Sequence, residues 1–144
     1  MGMRGYSLIE MMMAIVILVI LTAVALVKLT SSLPHQRVDL AVNVVAGDLQ
    51  YAQQLAVKQR KPVTIAVDTA AKSYSIKDRA SSTVYRTQQL GSTSEFQLTQ
   101  LTTTGTVVIF PNGAASAAST TYTVGINGYT RTVYITSAGM IRVP

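Results

Sequence analysis

Cysteine is absent from all 144 residues, so the fold holds no disulfide and no metal site built on thiolates. Histidine occurs once, too few for an ordinary zinc centre. Acid is scarce: 6 Asp and Glu against 12 Lys and Arg leave a formal net charge of +6. Such an excess suits anionic lipid, nucleic acid or an acidic protein surface, and it equally aids solubility. There is no phosphate-cradling glycine loop, no paired-carboxylate site and no repeated segment. The expectation is therefore no catalytic residue, no cofactor, no metal and no enzyme. The length is one domain's worth of chain.

What the chain has in quantity is an oily beginning. Met11 to Val27 carries no charge, and with Tyr6 to Glu10 added the stretch runs over residues 6–27. As a helix rising ~1.5 Å per residue this is about 33 Å long, enough for a bilayer core of about 30 Å. Glu10 is the anomaly. A carboxylate in such a run costs on the order of 2–3 kcal/mol at mid-membrane and less near a helix end. A plain anchor explains Met11 to Val27 and leaves Glu10 unexplained. A secretory signal peptide explains Arg4 and the triplet Ala23-Val24-Ala25, with a mature terminus at Leu26 and a secreted β-rich product, but its core normally holds about 7–15 apolar residues and no acid.

The junction Gly5-Tyr6-Ser7-Leu8-Ile9-Glu10 resembles that of type IV prepilins, with Tyr6 in place of the usual phenylalanine. The resemblance implies that a prepilin peptidase cuts after Gly5 and methylates the new amino terminus on Tyr6. It also implies that Glu10 acts in assembly. Physically, the freed ammonium of Tyr6 and the Glu10 carboxylate are poorly aimed at each other on one helix. Between neighbouring subunits they neutralise each other and offset the burial of both charges.

Beyond Val27, Lys28 suits a helix leaving the membrane. Pro34 disfavours helical geometry at Leu33 and predicts a kink or short break. His35 and Asp39, four apart, read as a solvated pair with no catalytic surroundings. From Arg37 to Arg60 the pattern is helical, with a stripe of Val38, Ala41 or Val42, Val45, Leu49, Ala52 and Leu55 or Ala56. Asn43, Asp48, Gln50, Gln54 and Lys58 are assigned to the opposite, polar face. Gly47 costs about 1 kcal/mol against alanine and suggests the close approach of a strand. Lys58, Arg60 and Lys61 complement the helix dipole before Pro62 ends the helix.

After Pro62 the sequence reads as strand and turn. Strands are predicted at 63–67, 73–77, 83–90, 95–101 and 106–110, with turns at Asp68–Ala71 and Pro111-Asn112-Gly113. Ala114 to Thr120, small and polar, is predicted to be a mobile loop. Asn127-Gly128 joins 121–126 to 129–136 as a two-residue hairpin, and 140–143 closes as a short strand.

The middle and end of the chain resemble the GspH/FimT group of minor pilins and pseudopilins. The resemblance rests on Asp48-Leu49-Gln50-Tyr51-Ala52 with Ala56-Val57-Lys58 and Pro62-Val63, on Ile109-Phe110-Pro111-Asn112-Gly113, and on Ile135 through Gly139 to Val143. It implies an α+β pilin-like fold, a long N-terminal helix (transmembrane half plus amphipathic half) on an antiparallel β-rich head. The implied divisions are a leader at 1–5, an assembly helix at 6–33, and a head at 34–144 holding helix 37–60 and a β-sheet over 62–143. It implies a minor pilin or pseudopilin subunit of a type IV pilus or type II secretion pseudopilus, held in the bacterial inner membrane with its head in the periplasm or exterior. Its implied partners are other pilin subunits, the prepilin peptidase, an inner-membrane assembly platform and membrane lipid. Some FimT-like members bind DNA during uptake through a closing Gly-Arg-x-Arg. Gly139-Met140-Ile141-Arg142 keeps only the second arginine, so the alternative of weak DNA binding rests on Arg142 with Arg131 and Lys58.

Overall fold

The computed structural model describes residues 7–116 and 118–144, with the side chains of residues 25–31 also outside the description. One helix, α1, runs Leu8–Gln59 over 52 residues. Eight strands follow: β1 Val63–Asp68, β2 Ser73–Asp78, β3 Val84–Gln89, β4 Gln100–Thr103, β5 Val107–Ile109, β6 Ser119–Ile126, β7 Tyr129–Thr136 and β8 Ile141–Arg142. The chain divides into two compact units with the boundary between Leu33 and Pro34.

The break expected at Pro34 is not there: the proline lies inside the helix. A proline ring removes one backbone donor and crowds the preceding turn. The C-terminus of α1 closes as its sequence suggests, with Arg60 at φ 53° and the Lys61 N–H donating to the Ala56 carbonyl at 3.3 Å. That left-handed residue and reversed bond form a C-cap in which an arginine takes the place usually held by glycine.

In the second unit the predicted stripe of α1 is the buried one, Val38, Ala41, Val42, Val45, Leu49, Ala52, Leu55 and Ala56. Two four-stranded sheets make the rest of the core, in the orders β3-β2-β1-β5 and β4-β6-β7-β8. All pairings are antiparallel. Ile65, Ile76 and Ile109 come from the first sheet, and Tyr122, Val124, Val133 and Ile135 from the second, into one cluster with the helix stripe. The Asn127-Gly128 hairpin is present, with φ 49° and 88° at its two residues, the left-handed pair of a type I′ turn.

Three local expectations are overturned. Residues 95–98 are a turn and coil, and only Gln100–Thr103 forms a strand. Phe96 and Leu98 are buried and alternate like strand residues, but Gln97 between them has φ 50°, which no strand residue adopts. The segment 114–120 is pinned where it is described. The Ala115 N–H donates to the Ser137 carbonyl at 2.9 Å, the Ser116 N–H to the Val108 carbonyl at 2.9 Å, and Thr120 already belongs to β6 and is buried. No strand approaches Gly47, since a Cβ there would meet nothing within 4 Å.

Gly139 is the reverse case. Its φ is +81°, and a Cβ would overlap the carbonyl oxygen of Gly113 in the preceding turn. Its own carbonyl accepts from Gln53 Nε2 on α1 at 2.5 Å. Helix, turn and closing loop thus meet at a point with no room for a methyl group.

Asp78 shows how the turns are held. Its Oδ1 accepts the N–H of Ala80 at 2.7 Å and of Ser81 at 3.2 Å, and Lys61 lies 4.0 Å from Oδ2. The two backbone donors, first of all, hold its carboxyl below the usual carboxylate range.

Gly47→Ala should stabilise the full chain by up to about 1 kcal/mol, because only helix propensity changes. Gly139→Ala should destabilise it by at least about 1–2 kcal/mol from the left-handed backbone alone. Thermal unfolding in detergent reads both, and equal effects of the two changes would contradict the geometry. For Asp78, the depressed folded-state value means that its contribution is in place above the usual 3.8 and is lost as pH falls through the lower folded value. Asp78→Asn should therefore cost stability at neutral pH, and the gap from the native chain should close as pH is lowered below that value.

Candidate functional site

The cleavage junction Gly5-Tyr6 lies outside the described residues, which begin at Ser7. The Ser7 carbonyl accepts the N–H groups of Glu10 at 3.0 Å and Met11 at 3.2 Å, so the helix starts there. Ser7 and Glu10 stand in the Ser-x-x-Glu spacing of a capping box, a local signal that sequence reading passed over. Glu10 falls in the first helical turn, where the helix dipole favours an acid by about 0.3–1 kcal/mol. Helix geometry thus accounts for an acid at this position in water. It does not offset the burial of that acid in an apolar setting, and Glu10 has no ion-pair partner among the described residues.

The side chains that follow are apolar on every side of the helix. Leu8, Ile9, Met11, Met12, Met13, Ile15 to Leu21 and Val24 are all more than half exposed. The Thr22 hydroxyl, the polar exception, donates back to the Leu18 carbonyl at 2.7 Å and is satisfied internally. A helix apolar all round needs lipid or other helices to cover it. Among the described residues no helix is long and apolar enough to cross a membrane. The span expected from the sequence includes Tyr6 and the side chains from Ala25 onward, which lie outside the description, as does that of Lys28.

Of the three cations singled out for DNA, Arg131 and Arg142 are not brought together. Arg131 on β7 pairs with Asp39 of α1 at 3.7 Å. Arg142 on β8 is exposed, and its Nε donates to Met140 Sδ at 3.0 Å. Arg142 is the cross-strand partner of Tyr134. Paired residues share a face and successive residues alternate, so Arg131, three positions from Tyr134, points to the other side of the sheet with buried Val133 and Ile135. Lys58 is exposed in the last turn of α1, in a groove it lines with Gln53, Gln54, Val57, Gly113 and Gly139. A phosphate held by Arg142 is not shared with Arg131 across the sheet.

His35 and Asp39 do not form a pair. The His35 ring lies against Tyr129, centroids 4.2 Å apart, while Asp39 turns to Arg131. Among the described residues no group of His, Asp and Glu could hold a metal ion.

The polar residue that sequence reading misplaced is Asp48. It is buried; its Oδ2 accepts the Tyr74 hydroxyl at 2.6 Å and its Oδ1 lies 3.0 Å from Arg86 Nη1. Burial, then the hydrogen bond to Asp48, pushes the Tyr74 hydroxyl far above its ordinary range, so it stays a donor at any physiological pH. The signal was available. Asp48 continues the three- and four-residue steps of the apolar stripe, from Val45 to Ala52, instead of standing opposite to it. Its contacts tie α1 to β2 and β3, which is a role in the fold.

Comparison with known proteins places these features. The family described as type II transport protein GspH matches residues 41–139, and the prokaryotic N-terminal methylation motif matches residues 1–26. No curated protein matches the chain. The fold is similar to the crystal structure of the type IV minor pilin FimU of Pseudomonas aeruginosa, at 23% identity and a TM-score of 0.63 over 76% of this chain and 90% of that one. It is also similar to the minor pseudopilin EpsH from the type 2 secretion system of Vibrio cholerae, at 11% identity and a TM-score of 0.61 over 75% of this chain and 96% of that one. The fold is thus that of pilin-like proteins, an N-terminal helix on antiparallel sheets. With the match running over 41–139 of 144 residues, the chain belongs to the GspH family of type II transport proteins.

Proposed function

We propose that the chain is a minor pilin or pseudopilin, a structural subunit of a type IV pilus or type II secretion pseudopilus rather than an enzyme. The observation that carries this reading is the N-terminal helix. Over residues 8–24 its exposed side chains are apolar on all sides and it bears a single acid, Glu10, within the methylation motif matched over 1–26. Such a surface suits two successive environments, lipid before assembly and neighbouring helices after it.

On this reading residues 1–5 are a leader removed by a prepilin peptidase, and Tyr6 becomes the methylated terminus. Residues 6–33 anchor the subunit in the bacterial inner membrane, and 34–144 form the head on its far side. An assembly platform moves the subunit from lipid into the filament. Glu10 then meets the amino terminus of a neighbouring subunit. No observation favours the DNA-binding alternative, and strand alternation places Arg131 and Arg142 on opposite faces of their sheet.

Intact-mass measurement of the chain from a membrane that holds the peptidase should give a terminus at Tyr6 carrying one methyl group. A terminus at Leu26 would instead establish a secretory signal and end the filament reading. Glu10→Ala should leave the chain folded and in the membrane, since deleting a charge from an apolar helix favours insertion by up to about 2–3 kcal/mol. Its incorporation into filaments should fall several-fold, and undiminished incorporation would remove the charge-pairing role.

A further inference from the structure

The chain contains three asparagines, Asn43, Asn112 and Asn127, and two of them precede glycine. An asparagine followed by glycine can lose its amide through its own backbone. The next residue's amide nitrogen attacks the side-chain carbon, and a glycine there offers no Cβ to hinder the approach. The step needs an uncommitted side chain, a backbone N–H free of an acceptor, and access for water. The structure separates the three candidates on these grounds.

Asn43 lies within α1, where the following N–H is held in the helix and belongs to β-branched Val44. Asn112 is exposed, but both of its reacting groups are committed. Its Oδ1 accepts the Ala114 N–H at 3.0 Å, and the Gly113 N–H donates to the Phe110 carbonyl at 2.9 Å. Asn127 is exposed at the tip of the β6–β7 hairpin. Its own N–H donates to Thr99 Oγ1 at 3.3 Å, which holds the backbone. Among the described residues its side-chain amide has no hydrogen bond and the Gly128 N–H has no acceptor. The turn leaves that N–H unpaired because the hairpin's last bonded pair is Ile126 with Tyr129.

We infer that Asn127 is a site of spontaneous covalent modification, the one asparagine that deamidates in the folded chain. The Gly128 nitrogen forms a bond to Asn127 Cγ and gives up its proton, and the side-chain nitrogen leaves as ammonia. The product is a five-membered succinimide. Water then adds at one of the two ring carbonyls and breaks its bond to nitrogen, leaving aspartate or isoaspartate. No oxidant or reductant enters, and water is the only co-reactant.

Either product adds a negative charge at the hairpin tip. Isoaspartate also inserts one more backbone carbon between Ile126 and Tyr129, in a turn of two residues that joins the two longest strands. The modification therefore acts at a position where register is set by turn length.

The test is incubation of the purified full chain in detergent at mildly alkaline pH, followed by chymotryptic mapping. Cleavage after Tyr122 separates Asn112 from Asn127, and an isoaspartyl methyltransferase assay labels the product. The Asn127 peptide should convert several-fold faster than the Asn112 peptide while the chain is folded. In strong denaturant the two should convert at similar rates, because the difference arises from the fold. Asn127→Gln should abolish the label on its peptide and leave the Asn112 rate unchanged. Equal rates in the folded chain, faster conversion at Asn112, or a ratio that survives denaturation would each overturn the assignment.

Discussion

Apolar helix surface must be covered, and α1 meets that constraint in two different ways. From Val38 to Ala56 one stripe is apolar, and the chain covers it with its own two sheets. From Leu8 to Val24 the whole circumference is apolar, and nothing in its own unit covers it. At about 25 cal/mol per Å² of apolar area removed from water, the second surface is the larger unmet stabilisation. Burial of the first makes a fold. Burial of the second requires a surrounding, lipid or a ring of similar helices. The division of labour falls at Leu33–Pro34 without interrupting the helix.

The covered stripe is not uniformly oily. Asp48 enters it as a carboxylate held by a neutral hydroxyl from β2 and a guanidinium from β3. Isolated, that charge would be costly to bury; paired and hydrogen-bonded, it fixes which strands lie against this turn of the helix. Arg86 reaches it from the edge strand and also lies over the Tyr51 ring, 5.9 Å from its centroid. The edge strand is therefore tied to the helix by direction-dependent contacts, whereas Ile65 and Ile76 beneath it supply area without direction.

Much of this was legible because it is local. The Asn127-Gly128 hairpin follows from two residues able to take left-handed backbone between alternating strands. The helix stripe follows from period alone. What failed was non-local. Glu95 to Leu98 alternates correctly, yet Phe96 and Leu98 are plugs on a turn, since alternation records burial and not pairing. The segment after Gly113 offers little apolar surface, yet the backbone bonds of Ser116 to Val108 and of Ala115 to the more distant Ser137 hold it in place. Gly139 is required by the Gly113 carbonyl, a neighbour that no local pattern names. At the candidate site the acid Glu10 was visible at once as a charge in an oily run. That Arg131 and Arg142 take opposite faces was not, because it depends on the register of β7 with β8.

Glu10 also sets a geometric condition on any assembly that buries the apolar helix. Its place in the first turn puts the carboxylate at the very start of the described helix, so a neutralising cation must come to that same level. On the filament reading, cleavage after Gly5 supplies one such cation per subunit, the amino group of Tyr6, four positions before Glu10. A neighbouring helix can then be placed at only a few axial offsets. Slipping it by one turn, about 5.4 Å, would keep nearly all the apolar contact and leave both charges unpaired. Removing one partner of a buried pair costs about 3–5 kcal/mol, whereas methyl-on-methyl contacts change little over such a slip. Apolar cover would hold the subunits together, and the acid would decide where along one another they stop.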